Sequence, residues 1–308
     1  MKAIVATGYG APEVLQLEEV AKPTPTAHEL LIKVHATTVT AADFRMRSFT
    51  VPPLLWLPAR LALGLTKPKQ PIFGTELAGE VEAVGKDVTR FQVGDQVFAS
   101  TLTAKFGAYA DYKCLSEDGM VAHKPVNMSY AEAAAVPIGA TTALRLLRKG
   151  NLQRGQRVLI YGASGSVGTY AIQLANYFGA AVTGVCSTAN LAMVKALGAD
   201  QVIDYTKADF AASAERYDRI FDTVAKFPKV QYAKILASTG IYVSMAKLDS
   251  KESLDNLLFI RELIEAGKLK AVIDRCYPLH EMVAAHQYVD AGHKKGNVVI
   301  AVNQAADR

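Results

Sequence analysis

Residues 157–168 read Arg-Val-Leu-Ile-Tyr-Gly-Ala-Ser-Gly-Ser-Val-Gly, and this stretch decides how the chain is understood. Val158 to Tyr161 are apolar, and such a short run suits a buried strand. Gly162, Gly165 and Gly168 follow, and residues 166–178 carry a helical pattern. Strand, glycine turn and helix in that order have a physical use. A small residue early in the turn permits a tight reversal, Gly165 lets the backbone approach a pyrophosphate, and Gly168 lets the helix lie close to the sheet. The anion would then meet free N–H groups at a helix N-terminus, where the dipole favours negative charge. The competing reading is a tight turn with no ligand. Two related patterns fail elsewhere. Residues 79–86 have the wrong spacing for a P-loop and are followed by Asp87 rather than Ser or Thr, and Ser164 does not sit in a G-x-S-x-G elbow.

Downstream of the turn, strands at 181–186, 200–205, 218–223 and 240–244 are interspersed with helical patterns, including 191–197 and 254–266. Strands in such alternation predict a parallel sheet covered on both faces, a doubly wound Rossmann-type α/β fold. Residues 130–148 read as a helix pair. The chain before about residue 125 has a different rhythm, with alternating runs at 2–6, 29–36, 79–84 and 95–99 punctuated by Gly and Pro. That pattern predicts an antiparallel barrel or sandwich. The tail from 270 to 302 holds two more apolar strands around a helix at 281–290 and is expected to return to the first domain. The predicted division is therefore 1–125 with 270–308, and 126–269 for dinucleotide binding.

Composition bounds the function classes. The 308 residues are 50% hydrophobic and 20% charged, as expected for a globular chain of two domains. The net charge is +5 with basic residues scattered along the sequence, and the densest cluster is the pair Lys294 and Lys295. This argues against nucleic acid as a partner. Cys114, Cys186 and Cys276 lie far apart with no C-x-x-C pair, so neither a disulfide framework nor a cysteine zinc cluster is indicated. The greasiest stretch, 51–65, is broken by Pro52, Pro53, Pro58 and Arg60, whereas a membrane span needs roughly 20 apolar residues. A soluble protein of a reducing compartment, the cytoplasm, is expected.

The choice of dinucleotide turns on the end of the second strand. An NAD site places Asp or Glu there, about 20 residues after the glycines, against the ribose hydroxyl. This chain has Cys186-Ser187-Thr188. A carboxylate would repel a 2′-phosphate and hydroxyls can donate to it, so NADPH is expected. Ser187 and Thr188 could equally cap a helix starting near Asn190, and the two roles are compatible. No Arg lies at this point, and Lys195 sits on the following helix.

Further motifs complete a pattern. They are residues 34–47, Gly74-Thr75-Glu76-Leu77-Ala78-Gly79, Phe91-Gln92-Val93-Gly94-Asp95-Gln96-Val97-Phe98, Gly107-Ala108-Tyr109-Ala110-Asp111-Tyr112, residues 134–143, and Lys294-Lys295-Gly296-Asn297-Val298-Val299. With the glycine turn, they make the chain resemble the medium-chain dehydrogenase/reductase superfamily, and most closely its zinc-independent quinone-oxidoreductase (zeta-crystallin-like) branch. The resemblance implies a GroES-like β-barrel domain, a Rossmann domain and an active site in the cleft between them. Zinc-dependent members carry Cys where this chain has Thr40 and His where it has Thr75. Hydroxyls are poor zinc ligands beside thiolate and imidazole, so no metal is expected.

The resemblance also assigns residues. Gly162, Ala163, Ser164, Gly165, Ser166, Val167 and Gly168 would hold the pyrophosphate. Ser187 and Thr188 would meet the 2′-phosphate, and Tyr205 would border the adenosine. Thr141, Thr223, Val224 and Asn297 would approach the nicotinamide half. For Thr141 the plainer alternative is a hydroxyl back-bonded to its own helical turn, and for Val224 it is core packing. Thr40, Asp43 and Arg45 are the catalytic candidates. Thr40 would donate to the ribose or to the substrate oxygen, Arg45 would stabilise enolate charge, and Asp43 would form a structural ion pair. Residues 52–65 would wall the substrate or simply pack.

Without a Lewis acid an unactivated alcohol is hard to oxidise. A quinone or conjugated enone spreads the arriving charge over its own π-system, so positioning and one hydrogen bond can suffice. The expected reaction is hydride transfer from NADPH to a small hydrophobic quinone or α,β-unsaturated carbonyl. Two alternatives stand beside it: an enoyl-thioester reductase of the same superfamily, and a non-catalytic NADPH-binding crystallin-like protein. One departure bears on assembly. The family has a long apolar stretch, often part of a dimer contact, where this chain has only 245–251 between a strand and a helix. A homodimer formed differently, a monomer and a shortened form all remain open.

Overall fold

In the computed structural model, which describes residues 1–51, 53, 56–207, 214–248 and 251–303, the apolar run at the N-terminus forms β1 (Lys2–Ala6). It pairs antiparallel with β2 (Leu15–Glu19). The spine of this region is β3 (Glu29–Thr38), ten residues with mostly buried side chains. After it come α1 (Ala41–Ser48), α2 (Trp56–Leu63), β4 (Glu76–Val84), β5 (Gln96–Ser100), β6 (Tyr112–Ser116), β7 (Val121–His123) and the short α3 (Tyr130–Ala134). Pro58 falls in the first turn of α2, where a missing N–H costs no intrahelical bond.

The doubly wound half begins with α4 (Pro137–Lys149) and β8 (Arg157–Tyr161). It continues through α5 (Ser166–Tyr177), β9 (Ala181–Cys186), α6 (Leu191–Ala196), β10 (Gln201–Asp204), β11 (Tyr217–Asp222), α7 (Lys229–Ile235), β12 (Leu236–Ser244) and α8 (Leu254–Glu265). The tail supplies β13 (Ile273–Pro278), α9 (Met282–Asp290) and β14 (Asn297–Ala301).

Contacts divide the chain into two compact units, residues 1–138 with the tail from Ile273, and Gly139–Val272. In the first, β14 lies antiparallel on β3, and the sheet runs β13-β14-β3-β4-β5-β7 with β6 also on β3. This is the GroES-like, largely antiparallel domain. Its interior holds Leu30, Ile32, Val34, Leu77 and Val97, and a second cluster joins Ile4, Phe73 and Tyr109 to Met282, Val298 and Ile300 of the tail. In the second unit five parallel strands run β10-β9-β8-β11-β12. Numbered from β8, this is 3-2-1-4-5, the Rossmann order without its sixth strand. Among the described residues the sheet ends at β12, an edge consistent with the short connection after Ser244.

Candidate functional site

The switch point of a doubly wound sheet is where neighbouring strands send their connections in opposite directions, and ligands bind outside the strand C-termini there. In this sheet it falls between β8 and β11, whose ends carry the Gly162 turn and Thr223-Val224. Gly162 has φ +82°, and a Cβ there would lie 2.3 Å from Val224 Cγ2 and 2.7 Å from Thr223 Oγ1. The Thr223 hydroxyl donates to the Tyr161 and Gly162 carbonyls, at 2.8 and 3.1 Å, so it fastens the two strand ends together. A Cβ on Gly168 would sit 2.1 Å from the Gly162 carbonyl oxygen, which explains why α5 approaches the turn so closely.

Gly165 differs from both. A Cβ there would have only the Gly162 oxygen nearby, at 3.6 Å, and Gly165 N-caps α5 with no side chain to occupy the first-turn donors. The Gly162 and Ala163 N–H groups both donate to Val185 O, at 3.2 and 3.0 Å, and the Gly165 N–H donates to Gly162 O at 3.1 Å. These three are spent inside the turn. The donors left for an anion are those of the first turn of α5, Ser166, Val167 and Gly168, which have no carbonyl one turn earlier within the helix. An open, side-chain-free helix start fits a pyrophosphate. At Gly139 a Cβ would lie 2.5 Å from Ser166 Oγ, so the start of α4 lies on the start of α5, and Thr141 is buried one turn along.

At the end of β9, Ser187 and Thr188 have different neighbours. Ser187 Oγ accepts from Asn190 Nδ2 at 3.3 Å, which leaves its O–H able to donate outward. Thr188 donates to Asp204, whose other oxygen accepts from Thr206 Oγ1 at 2.6 Å. These hydroxyls, Thr188 first, hold the Asp204 carboxyl below its usual range. A carboxylate thus stands beside the residues expected to face a 2′-phosphate, one strand further along than sequence spacing suggested. Tyr205 is 53% exposed next to it. Lys195 donates to Asp200 O at 2.6 Å.

In the GroES-like unit two of the three catalytic candidates, Thr40 and Asp43, meet at a buried carboxyl. Thr40 N-caps α1 in a capping box with Asp43. Asp43 Oδ2 accepts from Thr40 N at 2.9 Å, Thr40 Oγ1 at 2.6 Å and Thr75 Oγ1 at 3.1 Å, and Oδ1 accepts from Gly74 N at 3.1 Å. These partners are hydroxyls and amides rather than the ion pair expected at Asp43, because the cap geometry of α1 turns the carboxyl onto its own helix start and the Gly74 turn. Thr40 and Thr75, the two positions that carry zinc ligands in other branches, touch at 2.9 Å through their hydroxyls. Among the described residues no group of three or more His, Cys, Asp and Glu is placed to hold a metal ion.

Burial pushes the Asp43 carboxyl up, against the pull of its hydroxyl and amide donors. Glu76, also buried, is pushed up to about 8 by desolvation; it accepts from Thr38 Oγ1 and, at 2.7 Å, from Ile138 N. Behind this cluster Arg47 Nε donates to His286 Nδ1 at 3.2 Å, which leaves Nε2 as the protonated nitrogen facing Tyr109 Oη at 3.3 Å. Thr40 is partly exposed, whereas Asp43 and Thr75 are fully buried. Arg45 is exposed on α1 and Asn297 is buried at the start of β14.

Two organising residues escaped sequence reasoning. Asp222, at the end of β11, accepts from the Val224, Ala225 and Phe227 amides at 3.0, 2.8 and 3.0 Å, from Tyr242 Oη at 2.9 Å and from Ser244 Oγ at 3.4 Å. It shapes the loop that carries Thr223 and Val224, and holds Ala225 at φ +62°. An Asp closing a strand is the available signal, since Asp commonly bonds backbone amides two or three residues on. Glu76 lies inside the Gly74–Gly79 motif, and nothing local in the sequence marks it as a buried acceptor.

Comparison with known proteins agrees with this geometry. The family model described as alcohol dehydrogenase GroES-like domain matches residues 26–199, and the one described as zinc-binding dehydrogenase matches residues 166–274. The chain is 35% identical to a chloroplastic quinone-oxidoreductase homolog of Spinacia oleracea, over 97% of this chain and 98% of that protein. It is 33% identical to a 2-methylene-furan-3-one reductase of Solanum lycopersicum, over 97% of this chain and 79% of that protein. Among solved structures, the quinone oxidoreductase of Coxiella burnetii superposes with a TM-score of 0.88 at 31% identity, covering 98% of this chain and 99% of that one.

Proposed function

Since the chain belongs to the medium-chain dehydrogenase/reductase superfamily, in its quinone-oxidoreductase branch, we propose that it transfers hydride from NADPH to a small hydrophobic quinone or α,β-unsaturated carbonyl without zinc. The observation that carries this reading is the uncapped N-terminus of α5 above Gly165, at the switch point of the parallel sheet. The quinone and the exocyclic enone in the relatives' names mark the acceptor class.

When bound, the dinucleotide supplies the hydride. The first-turn N–H groups of α5 hold its pyrophosphate, and the Ser187 hydroxyl donates to the 2′-phosphate. Thr141, Thr223, Val224 and Asn297 position the nicotinamide half, Tyr205 the adenosine. Thr40 Oγ1 is the polar atom that meets the substrate oxygen. Asp43 accepts from that hydroxyl and keeps it oriented at the site. Arg45 adds positive charge on the same helix.

Asp204 favours a second reading of cofactor choice. Its carboxylate beside Thr188 would repel a 2′-phosphate and could accept from a ribose hydroxyl, which would let NADH serve as well. The test mixes metal-chelated protein with NADPH and follows nicotinamide absorbance with 1,4-benzoquinone, 9,10-phenanthrenequinone, a simple enone and a crotonyl thioester, then repeats with NADH. Oxidation that survives chelation, favours quinone or enone and prefers NADPH supports the first reading. Equal rates with NADH support the second, and NADPH binding without turnover of any acceptor contradicts both.

A further inference from the structure

Every described residue of α2 reaches solvent, and its polarity is inverted relative to an ordinary surface helix. Trp56, Leu57, Leu61 and Leu63 are 47, 57, 59 and 43% exposed, and Leu65, just beyond the helix, is 61% exposed. Leu57 and Leu61 are one turn apart and so share a face. The helix's one charged residue turns inward instead. The Arg60 guanidinium lies 4.3 Å from the Tyr9 ring, 4.1 Å from Phe49 and 5.1 Å from Trp56, and Nη1 donates to Leu65 O at 2.8 Å. A cation caged by aromatic rings pins the helix down with its leucines facing out. Five large apolar side chains exposed within ten residues are a surface awaiting a partner.

Charge names the partner. Residues 44–75 contain Arg45, Arg47, Arg60, Lys67 and Lys69 and no carboxylate, so this one stretch carries a surplus of five, equal to the net charge of the whole chain. Arg47 is neutralised by Asp290 at 2.6 Å, but Arg45, Lys67 and Lys69 are exposed. Exposed Lys105 joins Lys69 and Leu63 around an apolar cavity of about 200 Å³ floored by Met46 and Phe73. We propose that the surface from Trp56 to Lys69 is a peripheral docking site for an anionic lipid bilayer. In it, Trp56 and the leucines enter the boundary between headgroups and acyl chains, and the surrounding lysines contact the headgroups.

An eight-residue helix is far too short to cross a bilayer, and among the described residues no helix is long and apolar enough to do so. Lying in the interface plane is what an exposed leucine face beside basic residues permits. A nucleic acid would need several stacking rings where this surface has one Trp and otherwise aliphatic chains. A second copy docked on the same face would bring its own exposed Lys67, Lys69 and Lys105 against these.

Trp56 is the only tryptophan of the chain, so its emission reports on this surface alone. The experiment mixes the full-length protein with vesicles of phosphatidylcholine, or of phosphatidylcholine with phosphatidylglycerol, and records Trp emission and co-flotation. The expected result is a blue shift and flotation with the anionic vesicles only, weakened by salt. Leu57→Ser with Leu61→Ser should abolish both signals. Lys67→Glu with Lys105→Glu should weaken partition by roughly tenfold or more. All four positions are exposed, and the salt series on unaltered protein keeps the test decisive if a variant misfolds. Absence of shift and flotation with anionic vesicles overturns the proposal, as does equal binding to neutral ones. A shift that grows with protein concentration alone, with NADPH alone or with duplex DNA overturns it too, by naming a different occupant.

Discussion

At the switch point of the parallel sheet, backbone makes the site: three glycines let a turn fold tightly, and the helix start is left bare. Around Thr40, side chains make it: two threonine hydroxyls, with the Thr40 and Gly74 amides, close on the buried Asp43 carboxyl. The two regions should fail differently. A backbone site is broken by adding atoms, and a side-chain site by removing them. Each also hides its function differently, since a bare helix start looks like an ordinary turn and a buried hydrogen-bond cluster looks like an ordinary core.

The sharpest break should come at Gly168. Gly168→Val places a Cβ within 2.1 Å of a backbone oxygen that cannot move aside, and a loss of more than about 4 kcal/mol, with no NADPH binding, is expected by thermal melting and titration. Gly165→Ala should separate the two roles of the turn. Its Cβ has room, so stability should fall by less than about 1 kcal/mol, while NADPH affinity drops by roughly tenfold because the methyl intrudes where the pyrophosphate would approach.

Asp43→Ala tests the other region by deletion. It removes the N3 acceptor of the α1 capping box and strands the Thr75 hydroxyl and Gly74 N–H, so about 2–4 kcal/mol should be lost in chemical denaturation. Thr40→Val should cost less stability and act mainly on kcat, because Thr40 is the partly exposed member. Equal losses of stability in both variants would deny Thr40 any role beyond the cap.

Behind the cluster, His286 supplies a pH test. Burial, then the Arg47 charge, depress its pKa to about 3 from an ordinary 6.5. Between those values the unfolded chain binds the proton that the folded one refuses, so stability should fall as pH drops from 6.5 toward 3. His286→Gln should flatten that part of the profile, read as the melting temperature across pH; an unchanged slope would mean that His286 is protonated in the fold. The smallest effect is expected at Ser187. Ser187→Ala should raise KM for NADPH by about three- to tenfold, the value of one hydrogen bond to a charged group, and leave KM for NADH unchanged. Asp204→Asn should shift preference the opposite way.

These contrasts explain what could be read from the chain. Strand β8 and the glycine turn were legible because their signal is local: apolar run, glycines, helical pattern. β9 and α5 followed from the same alternation, and β14 from its apolar run. β2, β6, β7, α1 and α2 were not anticipated. β2 is five residues long and buries only Leu15, so its Leu15-Gln16-Leu17 alternation is too short to mark a half-buried strand. α2 was obscured by Pro58, which reads as a breaker until its place in the first turn is known. The GroES-like carboxyl cluster joins residues 31 to 35 positions apart, and no window along the sequence contains it. The loss of Thr188 to Asp204 is of the same kind: two neighbouring strands bring an acid to a position that linear spacing left neutral.

The central claim is hydride transfer from NADPH to an unsaturated acceptor. NADPH carrying deuterium on the transferred face of C4, incubated with chelated protein and a simple enone, should give a saturated ketone with deuterium at the β-carbon and proton at the α-carbon, read by mass spectrometry and NMR. A ketone without that label, or NADPH oxidised while the enone is recovered intact, would contradict it.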